Sequence, residues 1–227
     1  MTRHDRAAQT LLSAVMLGAA SVARVEAQLP GLPVLQNAFA SRGFAAALNG
    51  GGGSGTSAFA IAGGWAPGSA RFQISLGAGW LRAGGGNGGA FGARVAAPVF
   101  SLMNGNLGIA GFAGIGGGQG PRQATGQRTG YGSAPLGAAI GYRRALGTTR
   151  ALSFYGAPMI AFFRNDFGDS AKSATLFRVS AGVDFALTRA LGLTVGLEAG
   201  QSRSADDRPG PSSVVWGAGA SYVFGRR

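Results

Sequence analysis

Apolar and polar residues alternate along the last stretch of the chain, residues 213–224. On an extended strand, one face would hold Val214, Trp216, Ala218, Ala220, Tyr222 and Phe224, and the other Ser213, Gly217, Gly219 and Ser221. The apolar face has aromatic rings at both ends and small aliphatic side chains between them. A strand that faces lipid requires this arrangement, because hydrocarbon surrounds its centre and aromatic rings favour the two membrane interfaces.

Similar segments recur upstream, separated by turn-forming residues. Ten are predicted, at residues 38–48, 56–66, 70–82, 89–102, 107–118, 131–145, 151–165, 174–187, 191–203 and 212–224. Each is long enough to cross a bilayer as a tilted strand, which takes about 9 to 11 residues. The pattern predicts an all-β fold, an antiparallel up-and-down transmembrane β-barrel of ten strands, with eight strands as the alternative; single-chain bacterial barrels have an even number.

The third, fourth, sixth, eighth and ninth segments alternate as clearly as the last. The eighth, for example, opposes the outward set Phe177, Val179, Ala181, Val183 and Phe185 to Arg178, Ser180, Gly182 and Asp184. The first, second, fifth and seventh segments are less regular, and Pro158 predicts a bulge or another irregularity in the seventh.

The connections between segments fall into two classes. Those after even segments are short and turn-like, whereas those after odd segments are mostly longer and rich in glycine or charge: residues 49–55, 83–88, 119–130, 166–173 and 204–211. Outer-membrane barrels show this asymmetry, with short turns in the periplasm and longer loops outside.

The N-terminal residues 1–27 are typical of a secretory signal peptide. Arg3 and Arg6 precede an apolar run over residues 11–20, and Val25-Glu26-Ala27 is a cleavage site of the small-residue type. A short anchor helix is the alternative. The predicted organisation is therefore a signal peptide at 1–27, a lead segment at 28–37 and a barrel domain at 38–227.

With these features, the chain resembles the small outer-membrane β-barrel proteins of Gram-negative bacteria, the group that contains OmpA-like and OmpX-like barrels. The resemblance rests on the signal segment, the alternating strands, the loop asymmetry and the closing stretch Trp216-Gly-Ala-Gly-Ala-Ser-Tyr-Val-Phe224. It implies export through the periplasm to the outer membrane. It also implies recognition of the C-terminal strand, with its final aromatic residue, by the barrel-assembly machinery.

The residue inventory excludes several classes of function. There is no cysteine, and the one histidine, His4, lies in the predicted signal. The Asp-His pair of barrel proteases and the Ser-His pair of barrel lipases are thus absent from the predicted mature chain, so we expect no enzyme, cofactor or metal site. The net charge of +12 comes mostly from arginines spread singly along the chain, which argues against a nucleic-acid-binding stripe.

The predicted inward faces collect a charge cluster of Arg71, Arg94, Arg143, Arg178, Asp184 and Glu198. Such charges must be paired or hydrated in a narrow lumen. They form either a plug of salt bridges or an arginine-lined constriction that favours anions. The predicted aromatic girdle is Trp80, Tyr142, Trp216, Tyr222 and Phe224.

The sequence thus predicts an outer-membrane barrel with a structural or narrow passive-pore role. Its expected partners are outer-membrane lipid, lipopolysaccharide and the barrel-assembly machinery, and we expect a monomer. One alternative is a soluble, lipocalin-like exported barrel that binds a hydrophobic ligand, in which Phe72, Ile74, Val95, Phe185 and Trp216 would point inward. Another is a surface adhesin that uses long extracellular loops.

Overall fold

The structure, a computed structural model, describes residues 43–53, 56–68, 71–83, 86–122, 128–166, 171–203 and 209–224. The predicted signal peptide at 1–27 and lead segment at 28–37 lie outside the described residues. Among the residues described, no helix is long and apolar enough to span a bilayer.

Ten strands make up the described fold. They are β1 Gly43–Gly53, β2 Thr56–Ala66, β3 Gln73–Ala83, β4 Gly86–Leu102, β5 Leu107–Arg122, β6 Arg128–Ala145, β7 Ala151–Asp166, β8 Ala171–Ala186, β9 Leu191–Arg203 and β10 Pro209–Val223. A 3-10 turn, Met103–Gly105, joins β4 to β5.

Each strand pairs antiparallel with its neighbours in sequence, and β1 pairs with β10 to close the barrel. The closing register runs from Ala45 opposite Val223 to Gly52 opposite Trp216. Beyond this ladder, the Phe224 amide donates a hydrogen bond of 2.8 Å to the Phe44 carbonyl. The predicted all-β, ten-stranded barrel is therefore confirmed, and the eight-stranded alternative is wrong.

The predicted difference in loop length between the two ends of the barrel is wrong. Connections at both ends are only two to six residues long, because the strands continue into most of the residues predicted to form long loops. In β1, Gly50 to Gly53 pair with β2, and Gly50 to Gly52 also pair with β10, so the strand spans Gly43–Gly53 instead of 38–48. Pairing on both edges thus overrides the low intrinsic strand propensity of glycine.

Prolines interrupt the ladders without breaking the barrel. The irregularity predicted at Pro158 is a short gap in the ladder with β6 and not a bulge: the register with β6 is the same on both sides of the gap, and β7 pairs with β8 straight through the proline. Register shifts occur instead at Pro98, between Gln119 and Arg122, and between Gly210 and Ser213. Proline has no amide hydrogen, so a gap or bulge in the ladder accommodates it.

Large apolar side chains point outward around the barrel. Ile74, Val95 and Trp216 are 38%, 48% and 61% exposed, so they face outward, and the inward orientation required by a lipocalin-like barrel is wrong for them. Among the strand side chains that the structure describes, three charged ones are exposed. They are Arg82, Arg144 and Arg164, and each lies near the end of its strand. The wall thus has an uncharged apolar belt between two polar rims.

Aromatic rings mark both edges of this belt. At the end where β1 starts and β10 stops, the Phe44 and Trp65 ring centroids lie 6.4 Å apart, and those of Tyr222 and Phe224 lie 5.1 Å apart. Tyr142 faces outward near the same end. Trp80 and Trp216 face outward near the opposite end. All five predicted girdle residues therefore lie on the outer wall.

The outward belt predicts that charge is tolerated only at its rims. Val195 lies outward near the middle of β9, so Val195→Arg should lower the free energy of unfolding in lipid vesicles by about 2 to 4 kcal/mol. Leu146→Arg, in the exposed β6–β7 turn, is the control and should change it by about 0 to 1 kcal/mol. Denaturant titration measures both, and equal losses would contradict the proposed orientation.

Candidate functional site in the barrel lumen

A row of inward glycines leaves space in the lumen for one aromatic side chain. Successive cross-strand partners are Gly141, Tyr155, Gly182, Gly196, Gly217 and Gly51, on β6 through β10 and β1. We call these five glycines the glycine row. A Cβ added to Gly182 would collide with the hydroxyl end of Tyr155, so the tyrosine ring lies across the backbone of β8. Tyr155 is 5% exposed and fills the lumen at this level.

A second set of adjacent positions is polar. Across β6 to β9, the cross-strand partners are Arg143, Ser153, Asp184 and Thr194, which we call the polar row. Arg143 Nε donates a hydrogen bond of 3.2 Å to Ser153 Oγ, and the Thr194 hydroxyl bonds to Asp184 Oδ1. Arg143 and Asp184, together with the turn residues Arg150 and Arg189, line a cavity of about 360 Å³ at the end where β1 starts and β10 stops.

Farther along the lumen, Arg178 and Glu198 form a buried ion pair. Arg178 Nε lies 2.7 Å from Glu198 Oε1, and Arg178 Nη1 donates a hydrogen bond of 2.7 Å to the Gln201 carbonyl. The Arg178 side chain is 1% exposed. A guanidinium this deeply buried needs a counter-ion and further acceptors, and Glu198 and the Gln201 carbonyl provide them for Nε and Nη1.

Arg94 has a different environment. Its Cζ lies 4.1 Å from the centre of the Phe112 ring, a cation–π geometry. Its three guanidinium nitrogens are buried and have no hydrogen-bond partner among the described residues. Arg94 lines a cavity of about 90 Å³ together with Phe112, Met159, Phe163, Arg178 and Glu198.

The structure brings together most of the predicted charge cluster. Arg94, Arg143, Arg178, Asp184 and Glu198 lie on inward positions of β4, β6, β8 and β9. Arg71 does not, and its predicted lumen position is wrong: it is exposed in the β2–β3 connection. The pairing of β3 with its neighbours begins only at Gln73 and Ile74, so the alternation that includes Arg71 extends beyond the strand.

Sequence reasoning missed Tyr155 and Asn49. Tyr155 lies in a strand with adjacent aromatic pairs, Phe154-Tyr155 and Phe162-Phe163, which obscure the alternation. Asn49 is 1% exposed on β1, and its side-chain amide has no hydrogen-bond partner among the described residues. It was assigned to a loop because glycines follow it. Its inward position depends on the register between β1 and β10, in which Asn49 lies opposite Gly219.

Side chains in the lumen mainly pair charges with one another and pack together. No group of three histidine, cysteine, aspartate or glutamate side chains suited to a metal ion occurs within the described residues. Tyr155, Met159, Phe112 and Leu176 are each at most 6% exposed, so side chains fill much of the barrel interior. The geometry is that of a packed lumen with a basic mouth.

The buried ion pair predicts a specific pattern of stability changes. Glu198→Gln removes the counter-charge of Arg178 and should lower the free energy of unfolding by about 3 to 5 kcal/mol. The double change Arg178→Met with Glu198→Leu removes both charges, and the stability should return to within about 1 to 2 kcal/mol of the parent. Equilibrium unfolding in detergent micelles measures both. A double variant as unstable as Glu198→Gln would contradict this account of the pair.

Comparisons with known proteins find solved structures that are similar to this chain. The Bordetella autotransporter BrkA β domain has 15% sequence identity and a TM-score of 0.50, and the match covers 80% of this chain and 98% of that chain. Neisserial surface protein A has 16% identity and a TM-score of 0.40, and the match covers 80% of this chain and 97% of that chain. The KdgM porin has 9% identity and a TM-score of 0.38, and the match covers 80% of this chain and 99% of that chain.

No family model and no curated protein matches the chain. At identities this low, the likeness to the solved structures is one of fold. The fold shared with the BrkA β domain is a closed antiparallel β-barrel, and the structural neighbours are outer-membrane β-barrel proteins. At the level of fold, therefore, the chain is similar to the group that its sequence resembles.

Proposed function

We propose that this chain is a non-catalytic β-barrel protein of the Gram-negative outer membrane, with a structural role and a lumen closed by side chains. The observation that supports this most directly is the uncharged, outward-facing apolar belt on a sheet without free edges. A soluble barrel has no physical reason to expose Leu76, Trp80 and Phe91, each more than 60% exposed, to water.

The arrangement of the lumen supports closure rather than conduction. A cavity of about 360 Å³ opens at the terminal end, and the cavity beside Arg94 is only about 90 Å³. Between the lining residues of these two cavities lie Tyr155, across the glycine row, and the buried Ser180 and Ala157. Small barrels have interiors just wide enough to be filled by side chains. The packed interior therefore favours a plug over a passive pore.

The proposed orientation places both chain termini and the turns after even-numbered strands in the periplasm. The C-terminal strand β10, with outward Tyr222 near its end and outward Phe224 directly after it, would then be presented to the barrel-assembly machinery. At the other end, exposed Arg82 and Arg164 lie near strand ends, where guanidinium groups could pair with lipopolysaccharide phosphates. The barrel is proposed to function as a monomer and to bind no nucleic acid.

The absence of catalysis is inferred from the inventory of side chains. The sequence has one histidine, His4, in the predicted signal peptide, and no cysteine. A hydrolase of the known barrel types would need a histidine to activate water or a serine. The structure gives little support to an adhesin role through extracellular loops, because most of the residues predicted to form long loops belong to strands.

Location is tested by membrane fractionation. The protein, expressed in a Gram-negative host with its N-terminal segment, should sediment with washed outer membranes. It should be released by detergent but not by high salt or alkaline carbonate. Recovery in the soluble periplasmic fraction would contradict the proposal and favour the exported soluble barrel.

Closure is tested by conductance in planar lipid bilayers. The parent barrel should give no stable conductance steps, because Tyr155 and its neighbours fill the lumen. Tyr155→Ala removes the ring that lies across the glycine row and should give discrete steps. Phe154→Ala, which shortens an outward side chain on the same strand, is the control and should stay silent. Steps in the parent as large as those of Tyr155→Ala would favour the narrow-pore alternative.

A further inference from the structure

We propose that the lumen holds a binding site for one small monovalent anion, with the Arg94 guanidinium as its cationic group. The site is the cavity of about 90 Å³ beside Arg94 on β4, bounded by Phe112 on β5, Met159 and Phe163 on β7, Arg178 on β8 and Glu198 on β9. It lies inside the barrel, so its existence does not depend on whether the barrel conducts.

Within the described residues, no hydrogen-bond acceptor compensates the charge of the Arg94 guanidinium. All three guanidinium nitrogens are buried, and none has an acceptor among the described residues. An arginine in water would satisfy five donors. The Phe112 ring, 4.1 Å from Cζ, covers one face of the guanidinium in a cation–π contact. The ring offsets only part of the cost of burying the charge, because the in-plane N–H donors still lack acceptors.

The carboxylate that lines this cavity already has a partner. Glu198 borders the same cavity, but its Oε1 accepts a hydrogen bond of 2.7 Å from Arg178 Nε. No carboxylate of the described residues accepts a hydrogen bond from Arg94, so an acceptor for its in-plane donors must come from outside the described chain. An anion in the cavity would meet those donors, because a guanidinium presents a fork that matches a planar anion.

The size and the walls of the cavity define the class of anion. The cavity of about 90 Å³ has room for a small ion, and its size disfavours a large organic anion. Glu198 in the lining disfavours a second negative charge on the ligand, because like charges repel in a low dielectric. Phe112, Met159 and Phe163 provide apolar contacts, so small monovalent anions such as bromide, nitrate or formate fit better than the more strongly hydrated sulfate or phosphate.

A direct test uses bromide as the probe in crystals of the protein. Anomalous scattering should show a bromide ion against the Arg94 guanidinium in the parent, and no peak at that place in Arg94→Met. Arg82→Met, which removes an exposed arginine at the rim of β3, is the matched control and should keep the lumen peak. Water alone beside Arg94, in a crystal that binds bromide elsewhere, would overturn the proposal.

A second measurement follows the unfolding midpoint in detergent micelles. Bromide or formate should raise the midpoint of the parent relative to Arg94→Met. A concentration ten times the dissociation constant should increase the folded-to-unfolded ratio about elevenfold. Sulfate at equal ionic strength should leave the difference between the two proteins unchanged. If Arg94→Met does not fold, Arg94→Lys serves instead, because it keeps a positive charge and removes the fork. Equal shifts in parent and variant with bromide or formate would overturn the proposal.

Discussion

The fold depends on one constraint, the need to pair every backbone amide and carbonyl group of the sheet, which is strictest in the lipid environment proposed for this barrel. In hydrocarbon, an open sheet would leave two edges of unpaired polar groups, each costing several kcal/mol. The pairing of β1 with β10 removes both edges, from Ala45 opposite Val223 to Gly52 opposite Trp216. Closure explains why even the glycine-rich end of β1 becomes strand, since a neighbour on each side provides its hydrogen-bond partners.

Closure in turn determines what each face of the sheet can hold. Alternate residues point outward and into the lumen, so in the proposed membrane setting one face of each strand meets lipid and the other face meets the lumen. The outward positions have large apolar side chains. The inward positions are mostly small, and a narrow lumen then has room for only a few large groups. Tyr155 lies across the glycine row, while Arg178 and Glu198 satisfy each other farther along. Arg94 is the buried charge whose compensation is incomplete among the described residues.

Much of the wall could be predicted from sequence, because its signal is local. The alternation in β3, β4, β6, β8, β9 and β10 follows directly from residue types, and the structure places their apolar sets outward. The errors arose where local signals fail. Glycines in β1 looked like a loop, and Arg71 continued an alternation past the point where its neighbours pair. The partners of each lumen side chain depend on the register between strands, so the pairing of Arg178 with Glu198 could not be deduced from spacing.

The central claim is that the apolar wall faces lipid, and the three tryptophans of the chain report on it directly. Trp65, Trp80 and Trp216 are each at least 37% exposed on the outer wall. In vesicles made with brominated lipids, the fluorescence of single-tryptophan variants should be quenched strongly at all three positions, and an aqueous quencher should have little effect. Quenching by the aqueous agent, with no response to brominated lipid, would contradict the account.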